Sequence, residues 1–193
     1  MSNKLVMSKK TVADSWTECS RGAIIRTSRT SEAMKKKMVG LVAWLAVCFV
    51  AAALGGLASA SAGDFYLRLQ RPVWAPPAWL FGPAWTVLYV LMGIAAWLVW
   101  KTQGLRAAKG PLALFLIQLA CNALWTWIFF VWRSGSVAFA EILILWALIL
   151  WTSAAFWRIR PLAGALLIPY LAWVTFAAAL SYSVWQRNPI LLS

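Results

Sequence analysis

The side chain that enzymes most often use to move protons is missing, because the chain of 193 residues contains no histidine. That removes the usual general base, the commonest metal ligand and the usual proximal haem ligand. The three cysteines, Cys19, Cys48 and Cys121, form no CxxC pair, and two of them sit in apolar runs, so neither a disulfide framework nor a zinc site is indicated. No metal is expected and no cofactor is required. What the chain carries instead is tryptophan, 15 in all. The segment from Gly63 to Trp85 concentrates aromatic residues (Phe65, Tyr66, Trp74, Trp79, Phe81) among Pro72, Pro76, Pro77 and Pro83. The prolines bar most of it from helix, and so many aromatic rings do not belong to a solvated loop. The segment must pack on something, and it reads as a proline-stiffened lid. Pro83 is expected in the first turn of the next helix, where its missing N–H costs nothing.

A second set of polar or helix-breaking residues lies inside apolar runs. Gln118 and Asn122 are four apart and so share one helix face. An amide in hydrocarbon needs a partner, either another helix or a ligand. Glu141 is the only acidic residue in any apolar run. Intramembrane acids are suspects for function, but this one could equally reach the interface or pair with Arg133. Pro169 should kink or loosen the last apolar run, with Tyr170 and Trp173 flanking the break.

The elements that position these residues follow from composition. The chain is 63% hydrophobic and 12% charged, whereas soluble domains are about 45–50% apolar and about 25% charged. A soluble fold of this length could not hide that surface. Five apolar runs, at about 38–62, 81–100, 111–132, 137–157 and 161–185, each approach or exceed the roughly 20 residues that cross a bilayer. The expected fold is an all-α, five-transmembrane-helix bundle with the Pro/Trp-rich lid between helices 1 and 2. The connections 133–136 and 158–160 are tight, so the last three spans should be antiparallel neighbours. No internal repeat is visible, which counts against a transporter built on inverted halves. Trp100, Trp132, Trp157 and Trp185 sit at span ends, as in an aromatic belt.

Charge supports the same architecture. Nine of the 18 Lys and Arg lie in the first 37 residues, and the others fall almost entirely between apolar runs. That is the pattern of basic loops rather than of a nucleic-acid-binding face, and no nucleic-acid partner is expected. One side carries 14 basic residues against 4 on the other, or 8 against 4 if only Lys35–Lys37 of the tail count. The positive-inside rule then puts the N-terminus in the cytoplasm and the C-terminus on the opposite side. Residues 1–37 read as a basic, disordered tail, 38–188 as the five-span domain and 189–193 as a C-terminal tail. Met34 and Met38 bracket the lysine run, so either could be the start of translation, which leaves residues 1–33 in question. The end of the first run, Ala60-Ser61-Ala62, resembles a cleavage site, but the run is longer than the roughly 7–15 apolar residues of a signal peptide, so a retained span is expected. Small residues such as Gly55, Gly56 and Ala177–Ala179 permit the close packing of a homodimer without naming its helix.

Taken together, the run from Arg71 to Gly93 with its WxPPxW core at Trp74–Trp79, the Asn122-Ala-Leu-Trp125 segment and the Pro169-Tyr-Leu-Ala-Trp173 segment resemble the signatures of the TspO/MBR family. These are the tryptophan-rich sensory proteins related to the mitochondrial translocator protein, or peripheral-type benzodiazepine receptor. The resemblance covers about Lys37–Asn188. It implies a tetrapyrrole-binding bundle, with protoporphyrin IX or haem as ligand and sterol-like lipids and drugs as further small-molecule ligands. By motif position it implies a pocket of Tyr66, Trp74, Pro76, Trp85, Asn122, Trp125 and Trp173. Trp85 and Trp173 match the pair used where members of the family degrade porphyrin in light, so they are the catalytic candidates if that chemistry occurs. Leu180, Tyr182 and Arg187 correspond to the family's sterol-recognition pattern, which is weak even where it fits. A flat macrocycle wants aromatic faces and apolar walls, and its propionates want Arg at the rim. Arg68 and Arg71 are the candidates, with solvated loop charge as the plain alternative for them and packing as the plain alternative for each Trp. The expected function is a membrane sensor or regulator for tetrapyrroles; the alternatives are a porphyrin or lipid transporter and a light-dependent porphyrin-degrading enzyme, and whether the chain is an enzyme is left open.

Overall fold

The structure, a computed structural model, describes residues 31, 32, 34–59 and 62–192. The expectations for a disordered tail and for the Ala60-Ser61 junction therefore fall largely outside the described residues. The chain divides into two units at Gly40 and Leu41, and the helical bundle lies in the second.

The described residues contain five helical stretches long and apolar enough to span a bilayer, Met34–Ser59, Ala78–Ala107, Lys109–Val131, Gly135–Ile159 and Pro161–Arg187. In chain order the helices are α1 (Met34–Ser59), α2 (Ala62–Arg68), α3 (Phe81–Ala107), α4 (Lys109–Thr126), α5 (Gly135–Ile159), α6 (Pro161–Ala165) and α7 (Ile168–Arg187). A 3₁₀ turn at Ala78–Leu80 leads into α3, and a π turn at Trp127–Val131 closes α4. No strand occurs among the described residues. The architecture is the expected all-α, five-span membrane bundle.

Its interior has the composition that lipid-soluble helices require. Lipid tails are as apolar as leucine, so helices associate by close van der Waals contact rather than by escaping solvent. Small residues accordingly fill the seams: Ala95 and Ala96 of α3 and Ala163 of α6 are fully buried. At Gly164 a Cβ would lie 2.8 Å from the Ser153 carbonyl oxygen and 2.9 Å from Trp157 Cα, so the α6 backbone rests directly on α5. Large side chains fill the layers between. Phe115 stacks on Phe156 with centroids 5.8 Å apart and takes the edge of Trp44 from α1 at 6.0 Å. The outward surface stays apolar, with Phe49, Val87, Ile117, Ile144 and Trp151 all exposed, as a lipid-facing surface should be.

One connection differs from the sequence reading. The 101–110 segment is not a loop: α3 continues to Ala107 and α4 begins at Lys109, with only Gly104 leaving the helix, at φ 75°. Glycine alone adopts that conformation without penalty. The last span is loosened just ahead of Pro169, as expected. The proline ring at 169 would clash with the carbonyl of residue 165 in a continuous helix. The chain instead ends α6 at Ala165 and restarts at Ile168, which places Pro169 in the first turn of α7. The C-terminal residues are no loose tail either. The Gly135 amide donates to the Leu192 carbonyl at 3.2 Å, and Leu192 is fully buried. Of the four tryptophans expected in a belt, Trp132 and Trp157 are exposed, whereas Trp185 packs against Gly135 and Phe139.

Candidate functional site

The first part of the lid forms α2, which ends at Arg68, while residues 69–77 run irregularly to the 3₁₀ turn. The lid is fastened to the bundle at three points, through Gln70, Phe65 and Trp74, and braced within itself by Arg71 on Tyr66. Asn188, the residue that caps α7, clasps Gln70: the Gln70 amide donates to Asn188 Oδ1 at 2.8 Å, and Asn188 Nδ2 donates to the Gln70 carbonyl at 3.0 Å and to the Val184 carbonyl at 2.8 Å. A side-chain amide thus pairs with a backbone unit as a neighbouring strand would. The Arg71 guanidinium lies 4.8 Å from the centroid of the Tyr66 ring, and that of Arg133 lies 4.9 Å from the centroid of Phe65. Trp74 reaches over to the edge of Phe176 at 5.8 Å.

Beneath the lid is a cavity of about 290 Å³. Its walls are almost wholly aromatic and aliphatic. Tyr66 comes from α2, Phe81 and Trp85 from the start of α3, and Trp125 from α4. Phe129 and Phe130 come from the π turn, and Trp173, Ala177, Leu180 and Val184 from α7. Polar lining is confined to Ser59, Tyr66, Thr126, Ser181 and the indole N–H groups. The rings meet edge to face: Trp85–Trp173 at 6.5 Å, Phe81–Trp173 at 6.0 Å and Tyr66–Phe81 at 5.8 Å. Tryptophan N–H groups usually find a partner when buried, and the indoles here divide on that point. Trp125 donates to the Ala138 carbonyl at 3.1 Å, Trp127 to the Leu54 carbonyl at 3.2 Å and Trp146 to Thr175 Oγ1 at 2.8 Å. Trp85 and Trp173 have no hydrogen bond to any described residue. Two indole donors are therefore free at the chamber.

Of the residues picked out by motif position, Tyr66, Trp85, Trp125 and Trp173 line this chamber together. Three do not. Trp74 lies on the outer side of the lid, half exposed, and Pro76 contributes only its carbonyl, 3.5 Å from the Tyr66 hydroxyl. Asn122 is one layer below the floor. It is 4% exposed, accepts from the Tyr89 hydroxyl at 3.0 Å and donates to the Tyr170 hydroxyl at 2.6 Å. Its polar need is met by helices α3 and α7, and it supports the chamber through Trp85, whose ring packs on both tyrosines at 5.6 and 6.2 Å. Arg68 is exposed on α2, and Arg71 is committed to Tyr66. The sterol-pattern residues are not brought together: Leu180 faces the chamber, Tyr182 is exposed against Phe139 on the other side of α7, and Arg187 is exposed in its last turn. Glu141 does not pair with Arg133. Its carboxyl is buried on α5 without a hydrogen-bond partner, as is the amide of Gln118 on α4.

The aromatic residues missed by motif reasoning are Phe129 and Phe130. They are neighbours in the π turn, and the chamber takes adjacent pairs from ordinary helix as well, at Trp125–Thr126 and Leu180–Ser181; nothing in the Trp-Ile-Phe-Phe-Val run announces the turn. Phe130 also takes the edges of Trp125 and Phe129, at 6.2 and 5.0 Å.

Residues 44–186 match the sequence model of the TspO/MBR family. Protein CrtK of Rhodobacter capsulatus is 41% identical over 150 residues, which is 75% of this chain and 92% of that protein. The human translocator protein is 42% identical over 126 residues, 64% of this chain and 75% of that protein. The tryptophan-rich protein TspO of Chlorobaculum tepidum is 35% identical over 161 residues, 81% of this chain and all of that protein.

Proposed function

The chain belongs to the TspO/MBR family and is a multi-pass membrane protein, and on that premise we propose that its chamber binds tetrapyrroles and that the protein acts as a membrane sensor or regulator for them. The observation that carries the reading is the pair of free indole donors, Trp85 and Trp173, set edge to face at 6.5 Å in an otherwise apolar aromatic cavity. A flat conjugated ring gains from aromatic walls, and its few polar atoms need donors that the protein has not already used. Carboxylate tails of the ligand would reach the lid, where Arg68 is exposed. The positive-inside rule supports a cytoplasmic position for the face bearing Lys101, Arg106, Lys109, Arg158 and Arg160 as part of this reading.

The test is a titration of the purified protein with protoporphyrin IX in the dark, followed by quenching of tryptophan fluorescence. Saturable quenching that is weakened by Trp85→Phe and Trp173→Phe is expected; absence of binding would remove the reading. Photo-oxidative degradation is a second reading favoured by the same two untied indoles. Illumination of the complex at saturating porphyrin while the Soret band is followed decides it: bleaching that vanishes in phenylalanine variants loaded to the same occupancy requires the two indoles as reactants, and binding without bleaching in the unmodified protein excludes it.

A further inference from the structure

A second depression lies on the lipid-facing side of the bundle between α3 and α7. It is open, has a volume of about 650 Å³ and is lined only by apolar residues, among them Pro83, Val87, Ala172 and Phe176. Both helices are long and apolar enough to span a bilayer, so this groove opens toward lipid. One residue, Trp173, lines both the groove and the chamber. At that point the wall between ligand chamber and bilayer is a single indole.

Beside the chamber the α3/α7 seam has no direct side-chain hydrogen bond among the described residues; its two helices are joined only a layer below, through Asn122. The α4/α5 seam is pinned by Trp125 to the Ala138 carbonyl, the α1/α4 seam by Trp127 to the Leu54 carbonyl, and the α5/α7 seam by Trp146 to Thr175. The lid is held by the Asn188 clasp. Trp173 has no such bond; it rests on Phe81, Trp85 and Phe176 through tilted or edge contacts at 5.8–6.5 Å. Ring contacts of this kind can be exchanged for equivalent ones with an aromatic ligand, whereas an indole pin must lose its partner in a medium that offers no other. The last span is moreover loosened just before the groove, at Leu166–Leu167. The chamber, at about 290 Å³, stands at the lower limit of the roughly 300–1,000 Å³ typical of ligand pockets, so a large ring needs its walls to give.

We propose that the α3/α7 groove is the lateral entrance of the chamber: a flat, apolar ligand dissolved in the bilayer docks edge-on in the groove and passes Trp173 to enter. The proposal rests on the chamber being the ligand site, and its test separates the two. Protoporphyrin IX is dissolved in the bilayer of the same proteoliposomes that hold the protein, with aqueous albumin present to scavenge porphyrin from water, and the relaxation of tryptophan quenching is followed after a temperature jump. Unmodified protein should still load in the presence of albumin. Val87→Trp and Ala172→Phe fill the groove from lipid-facing positions outside the chamber, and each should slow association by roughly tenfold while leaving the equilibrium constant within about twofold, since entry and exit share one path. Ile144→Trp, lipid-facing on α5, should leave the rates unchanged. Loading abolished by albumin, or unchanged association in both groove variants, would overturn the entrance whatever happens to affinity. Failure of the unmodified protein to bind in detergent at equilibrium would instead remove the chamber reading itself.

Discussion

Asn188→Ala should release the lid. The wild-type side chain makes three hydrogen bonds, to the Gln70 amide and to the Gln70 and Val184 carbonyls, at 2.8–3.0 Å, and is 5% exposed. The Val184 bond stays within α7, so only the two Gln70 bonds hold the lid, and a net value near 1 kcal/mol per bond gives about 2 kcal/mol. Gln70 is exposed and regains water when the clasp opens, so about 1–2 kcal/mol is the working figure. That corresponds to a rise of roughly 5- to 30-fold in the open population of the lid. The reporters are the Ala75 and Leu80 amides, which donate to the Pro72 and Pro77 carbonyls at 3.0 Å within the lid itself. Hydrogen exchange in nanodiscs should accelerate at those two amides by that factor while the α3–α5 amides exchange as before. Asn188→Asp keeps an acceptor but sets carboxylate oxygens against two carbonyls, so it should release the lid at least as far. Exchange at Ala75 and Leu80 within threefold of wild type in both variants would show that the clasp does not hold the lid.

Other outcomes follow from the buried layers. Asn122→Leu strands the Tyr89 and Tyr170 hydroxyls and should cost about 2–4 kcal/mol in thermal stability; porphyrin affinity falling with stability untouched would instead make Asn122 a ligand contact. Gly164→Ala drives a methyl against backbone atoms of α5 that cannot turn aside and should cost about 1–3 kcal/mol; an unchanged melting temperature would refute the direct α5/α6 contact. Glu141→Leu removes a buried carboxyl without a partner and should be neutral or stabilising by about 1–3 kcal/mol; marked destabilisation would mean that the carboxyl is satisfied after all.

The parts of this site that could be read from sequence are those that depend on local composition. Apolar run length gave the five spans, because hydrocarbon thickness imposes it directly. The density of aromatic and proline residues between the first two spans marked the lid, and Tyr66, Trp85, Trp125 and Trp173 line one cavity as the motifs implied. What escaped depends on partners far away in the chain. The Gln70–Asn188 clasp joins residues 118 apart, and an asparagine just past an apolar run looks like any helix cap. Asn122 was recognisable as a buried amide, but the two tyrosines that satisfy it lie on other helices, so ligand and neighbour could not be told apart. Gln118 and Glu141 stood out by type, and the structure gives neither a partner. The α6/α7 break was visible as Pro169, yet its position depended on the clash with the preceding turn rather than on the proline itself.

The π turn at Trp127–Val131 has a consequence for how the binding cavity can change over time. A π turn is an α-helix carrying one inserted residue. Losing a single residue here would let the last turn of α4 relax to ordinary helix, sparing the helix below it and removing one of the two phenylalanines from the cavity wall. Elsewhere in a span a deletion rotates every following side chain by about 100°. Residues 127–131 are therefore a place where a change of length, rather than of residue type, can resize the cavity without unmaking the bundle, and lineages that bind ligands of different breadth could diverge by one codon at this point.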